Sequence, residues 1–165
     1  MHGQADQAGQ GLLPHRRTPR GLCALAAKRA CVAEADVVVT ITKSAEPVCR
    51  AEWLAEGAHV NVAGANSDAR REVDAETVLR AAVKVTDHVA QAKEEAAEFR
   101  ALVAAGKLEW SAIRELGELV TGKAKGRTSP SELTLFKSLG IALEDVAFAE
   151  LVYERALATG VGRPI

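Results

Sequence analysis

Gly64-Ala65-Asn66 closes the strand-like run His59-Val60-Asn61-Val62-Ala63-Gly64 and carries the clearest chemical signal in the chain. In open parallel sheets, ligands bind just outside the carboxyl ends of the strands. Ala63, Gly64 and Ala65 are small enough there for a flat ring to approach the backbone. Asn66 can orient a bound group through hydrogen bonds, but its amide does not ionise, so it cannot act as a general base. The plainer alternative is an asparagine that only caps a turn. Thr40 and Thr42 end the preceding run, where a hydroxyl can meet a ribose, although threonine is also a common strand residue. Phe136-Lys137-Ser138-Leu139-Gly140 stands just before a long helix, whose first amides lack partners within the helix. Ser138 and the backbone at Gly140 can face a ligand, and Leu139 is either a pocket wall or core. Arg70 follows Asn66 by four residues and is either a ligand contact or a solvated charge. Its neighbour Arg71 would pair with Glu72 or Asp74 on the surface.

The elements that must position these residues read as alternating strands and helices. Ala35–Thr42 is a nearly unbroken apolar and β-branched run, of the kind that suits a strand buried on both faces. Pro47 breaks the chain, and 51–56 gives one or two helical turns. Residues 59–64 form the next strand. Asp74–Ala82 reads as a helix with an acidic first turn, and Val83–Thr86 as a third strand. The result is an α/β chain of βαβ units with a right-handed, doubly wound parallel sheet. His88–Ala105 then reads as one helix and Trp110–Val120 as another. Leu133–Ser138 is strand-like, and Ile141–Ala158 is a long apolar-rich helix stopped by Gly160.

Composition sets the class. A chain of 165 residues with 48% hydrophobic and 26% charged residues suits one globular domain. A net charge of −1 gives no reason to expect nucleic acid or a membrane surface as partner. No run is long and apolar enough to span a bilayer. Cys23, Cys31 and Cys49 form no close pair, which fits a reducing cytoplasm, and no metal site is expected. Residues 1–31 carry five Lys/Arg against one acid, so residues 1–34 read as a distinct basic leader with a disordered opening. His59 reads as a strand residue, and Glu94, Glu95 and Glu98 as a solvated helix face. Phe148, Leu151 and Tyr153 read as core or dimer-contact residues.

From Ala35 onward the blocks ADVVVTIT, EPV…EWL…GAHVNVAGAN, RREVD, GELVTGKAKGRTSP and LTLFKSLGIALEDVAFAELVYERA follow one another in an order that resembles the ornithine cyclodeaminase/mu-crystallin family. The resemblance implies a Rossmann domain over 35–140, lacking its opening part. It also implies a C-terminal helix over 141–165 that would return to a substrate-binding and dimerisation domain missing here. No GxGxxG motif occurs in the sequence, so the pyrophosphate clamp of a complete dinucleotide fold is not expected. The resemblance makes Thr40, Thr42, Ala63, Gly64, Ala65, Asn66, Arg70, Ser138, Leu139 and Gly140 candidates for binding the nicotinamide side of NAD or NADP. His15-Arg16-Arg17-Thr18-Pro19 is similar to the end of the family's second strand, where Arg17 would hold the 2′-phosphate of NADP. The alternative for that segment is a basic leader.

Two functions follow. In cyclodeaminases proper the position of Asn66 is an aspartate, so Asn66 points to the imine reductase or amino-acid dehydrogenase branches. Hydride exchange with an imine or α-amino acid would then be the reaction, with Asn66 as the catalytic candidate and a homodimer implied. The other function is a catalytically inactive remnant that binds or dimerises, since mu-crystallin-like members serve as binding proteins.

Overall fold

The computed structural model describes residues 25–163, so Arg17 and the basic leader lie outside the described residues. Leu25–Val32 forms helix α1, and Val37–Thr40 forms the first strand, β1. The strand is shorter than the apolar run. Val38 and Thr40 are buried, but Val37 and Val39 are 56% and 61% exposed. The expectation of burial on both faces therefore fails for two of its four residues, because only one side of β1 is covered by described elements.

Residues 51–53 make a single 3-10 turn, and β2 spans His59–Val62. Helix α2, Ala75–Arg80, starts where Asp74 accepts the Thr77 amide at 3.0 Å, an N-cap that also takes the Ala51 amide at 3.2 Å. Strand β3 is Val83–Thr86. The single helix expected over 88–105 is two, α3 (Val89–Glu95) and α4 (Ala97–Ala104), because Ala96 leaves helical geometry at ψ 84°. The helix expected over 110–120 also gives way. Ile113–Glu115 forms β4 alongside β3, preceded by a 3-10 turn, and only Leu116–Val120 is helical, as α5. Burial of Ile113 in the core outweighs the helical pattern around it. Thr134–Lys137 is β5, and Ala142–Thr159 is α6, closed by Gly160 at φ 66°.

Among the described residues the five strands are all parallel, in the order β1-β2-β5-β3-β4. This is an α/β, Rossmann-like sheet. Parallel partners place their side chains on the same face. Val38, Val60, Leu135 and Ile113 thus line one face, joined toward the carboxyl ends by Thr40, Val62, Lys137 and Thr86. Val78, Ala92, Phe99 and Leu102 of α2, α3 and α4 close the core over that face. The opposite face carries His59, whose ring bonds Thr134 Oγ1 at 2.7 Å and Asn61 Oδ1 at 3.2 Å. His59 is thus tied to strand neighbours, as a strand residue would be. Phe148, Leu151 and Tyr153 are 67%, 46% and 66% exposed on α6, so none is core among the described residues.

Candidate functional site

Because every strand runs the same way, their carboxyl ends share one rim. Thr40 and Thr42 reach it from β1, residues 63–66 from β2, Asp87 from β3 and residues 138–140 from β5. The loops after β1 and β2 are drawn together by one side chain. Glu72, fully buried, accepts the Thr42 amide through Oε1 at 2.5 Å, and the Gly64 and Ala65 amides through Oε2 at 2.5 Å and 3.2 Å. This contact requires glycine at position 64. A Cβ there would lie 2.1 Å from Thr42 N, 2.4 Å from Thr42 O and 2.7 Å from Glu72 Oε1.

The turn after β5 has its own clamp. Asp87 Oδ2 accepts the Leu139 amide at 2.6 Å, the Gly140 amide at 2.7 Å and the Ser138 hydroxyl at 3.3 Å. Gly140 adopts φ +77°, open to glycine at little cost, and no atom lies within 4 Å of where its Cβ would be. Gln91 donates to its carbonyl at 3.3 Å.

A third group braces the first clamp from β5. Lys137, 1% exposed, donates to the Ala65 carbonyl and pairs with Glu98 at 3.6 Å. Glu98 in turn accepts the backbone amide of Glu72 at 3.1 Å. Burial pushes the Lys137 ammonium below its ordinary value, and the nearby Glu98, Glu72 and Asp87 oppose that shift. Two sequence expectations are corrected here. Glu98 is 5% exposed rather than on a solvated helix face, and Glu72 is buried rather than a surface partner of Arg71. Lys137 could have been found from its spacing, since Leu133 and Leu135 put it on the inward side of a period-two strand. Glu72 and Asp87 follow no such period, because loop backbone amides recruit them.

The candidate residues stand as follows. Thr40 is buried and its hydroxyl donates to Asn61 O at 3.3 Å, so that group is engaged between strands. The Thr42 hydroxyl accepts the Ser44 amide at 3.2 Å. Ala63 and Asn66 are exposed on the rim, Gly64 is half-buried and Ala65 is buried. Arg70 is half-buried in the loop toward α2, and its amide bonds Ser67 O at 3.1 Å. Ser138 and Leu139 are half-buried, and Leu139 packs on the core. Arg17 alone lies outside the described residues. Among the described residues, no group of His, Cys, Asp and Glu side chains is arranged to hold a metal ion, and no helix is long and apolar enough to cross a membrane.

A profile of the ornithine cyclodeaminase/mu-crystallin family matches residues 15–160. Alanine dehydrogenase of Archaeoglobus fulgidus is 41% identical over 131 residues, covering 79% of this chain and 40% of that protein. The solved Delta(1)-pyrroline-2-carboxylate reductase of Thermococcus litoralis, in complex with NADH and L-proline, superposes with a TM-score of 0.74. It is 36% identical, and the match covers 83% of this chain and 42% of that one. An archaeal alanine dehydrogenase dimer with bound NAD is 40% identical with a TM-score of 0.66, over 79% of this chain and 40% of that one. The chain thus spans about two-fifths of the length of the relatives it matches. It belongs to the ornithine cyclodeaminase/mu-crystallin family.

Proposed function

We propose that this family member contributes the nicotinamide-side wall of an NAD(P)-dependent oxidoreductase acting on an imine or an α-amino acid. The observation that carries this reading is the rim itself, where buried Glu72 holds the Gly64 and Ala65 amides and buried Asp87 holds the Leu139 and Gly140 amides at adjacent strand ends. The residues fit such a cofactor. The edge is built of small side chains, Ala63 and Asn66 are exposed, and the space beside Gly140 is open. When bound, the cofactor supplies the hydride.

This chain's residues then bind and orient. Asn66 offers one amide to hold the substrate or the ring by hydrogen bonds and moves no proton, which favours hydride exchange over cyclodeamination. The Ser138–Gly140 turn and the Gly64–Ala65 backbone form the wall, with the Thr42 hydroxyl and Arg70 flanking it. The Thr40 hydroxyl, engaged by Asn61 O, acts through the sheet instead. The choice of NADP over NAD turns on Arg17. We divide the chain into a leader (1–34), a partial Rossmann domain (35–140) and a helix belonging to a substrate and dimerisation domain (141–165). The exposed apolar side chains of α6 support a homodimer, and free Cys31 and Cys49 support a reducing cytoplasm.

Titration of the purified chain with NADH and NADPH, followed by nucleotide fluorescence, tests the reading. Saturable binding below about 100 μM, roughly −5.5 kcal/mol, is expected. No saturation at millimolar nucleotide would refute it and leave the binding or dimerisation module as the better account.

A further inference from the structure

Four ionisable side chains are buried against the rim. Glu72, Asp87, Glu98 and Lys137 are 0%, 7%, 5% and 1% exposed, and Glu98 pairs with the Lys137 ammonium at 3.6 Å. Three buried carboxyl groups share one buried ammonium. Backbone amides satisfy hydrogen bonds but carry no net charge, so nothing among these groups offsets the surplus of acidic over basic side chains in a region of low dielectric.

Hydrogen bonding alone does not demand this charge at Asp87. All three donors there, from Ser138, Leu139 and Gly140, converge on Oδ2, and the carbonyl oxygen of an asparagine could accept them equally. The other oxygen, Oδ1, is buried and has no hydrogen-bond partner among the described residues. Glu98 Oε2 likewise has no hydrogen-bond partner, although it faces the Lys137 ammonium at 3.6 Å. An unquenched carboxylate oxygen behind the amides of a ligand-binding turn is costly unless something cationic comes to lie nearby.

We propose that this buried excess of negative charge selects the charge state of whatever lies against the rim, favouring the cationic oxidised nicotinamide over the neutral reduced ring, and a protonated imine over a neutral one. The inference rests on the nicotinamide reading of the rim given above. Asp87 and Glu98 are charge-tuning residues in this scheme, since neither need touch the reacting atoms. Lys137 works in the opposite sense and limits the effect.

The affinities of the full chain for NAD+ and NADH test this. The two probes differ by one hydride and one ring charge, so their affinity ratio isolates the electrostatic part. For the loss of one unit charge behind the rim at an effective dielectric of about 20, Asp87→Asn should shift the ratio toward NADH on the order of tenfold. Glu98→Gln should shift it the same way, and Lys137→Gln in the opposite direction. Either of the first two variants suffices if the other fails to fold. A carboxylate that only holds the turn would weaken the two nucleotides equally. An unchanged ratio with wild-type binding intact, or a shift toward NAD+ in Asp87→Asn, overturns the proposal while leaving the site reading standing. Failure of the wild-type chain to bind either nucleotide overturns both.

Discussion

Replacing Gly64 by alanine adds one carbon to a position with no room for it. The new Cβ would sit 2.1 Å from Thr42 N, 2.4 Å from Thr42 O and 2.7 Å from Glu72 Oε1. Two of these atoms are backbone of the neighbouring strand end and cannot swing aside. Relief requires the loops after β1 and β2 to separate, and separation breaks the bonds from Thr42 and Gly64 to Glu72. Overpacking of this kind costs about 1–3 kcal/mol, and a buried hydrogen bond to a charged group about 1.5–3 kcal/mol. Together they predict a loss of about 3–5 kcal/mol, much of the stability of a typical domain. For a domain of this size that is a fall in Tm of roughly 8–15 °C. Gly117→Ala is the internal control, since nothing lies within 4 Å of its Cβ position and it sits in α5. It should be neutral or stabilising by about 0.5–1 kcal/mol. Urea unfolding followed by circular dichroism measures both. A loss below about 1 kcal/mol for Gly64→Ala would show that the rim is softer than the Glu72 clamp implies.

Lys137→Met should destabilise the fold by about 3–5 kcal/mol by leaving Glu98 buried without its cation. Since burial lowers the Lys137 value from 10.5, the unfolded chain binds more protons than the native one just below 10.5. The stability of the wild type relative to Lys137→Met should therefore rise with pH up to about that point, and a flat or falling difference in alkaline urea titrations would contradict this. Burial, with a smaller push from Asp74, raises the Cys49 thiol from 9.0 to about 11. Iodoacetamide at pH 8 should modify exposed Cys31 but not Cys49 in peptide maps of the native protein. The same shift has a linkage consequence. Because the folded value is the higher one, Cys49 should cost stability as pH climbs from 9.0 toward 11, an effect absent in Cys49→Ala. Asp74→Ala removes the α2 cap and the bond to Ala51, and thermal melts should show a loss of about 1–2 kcal/mol.

How much of this was legible in the sequence differs by element. The β-branched runs located β1, β2 and β3, and five ordered blocks pointed to the family. The rim candidates at 63–66 and 138–140 do lie together, because parallel strands bring their carboxyl ends to one edge whatever the loops contain. Ala96 and Ile113 were not legible. The sequence around each favours helix, and what ends or replaces the helix is a tertiary demand, the packing of α3 against α4 and of Ile113 into the core. Glu72 and Glu98 were misplaced for a related reason. Acidic residues are rarely buried unless paired, and their partners are backbone amides of Thr42, Gly64 and Ala65, and Lys137 from a strand far along the chain.

The position of β5 bears on how this chain must fold. It is the last strand in sequence yet stands in the middle of the sheet, between β2 and β3. His59 meets Thr134 across 75 residues, and Thr86 meets Lys137 across 51. Until Thr134–Lys137 arrives, β1 with β2 and β3 with β4 are two separate pairs with no ladder between them. Such long loop closures slow folding. They also leave the inner edges of β2 and β3 open until Thr134–Lys137 is made, so a nascent chain released before Lys137 would present two further unpaired strand edges to its neighbours.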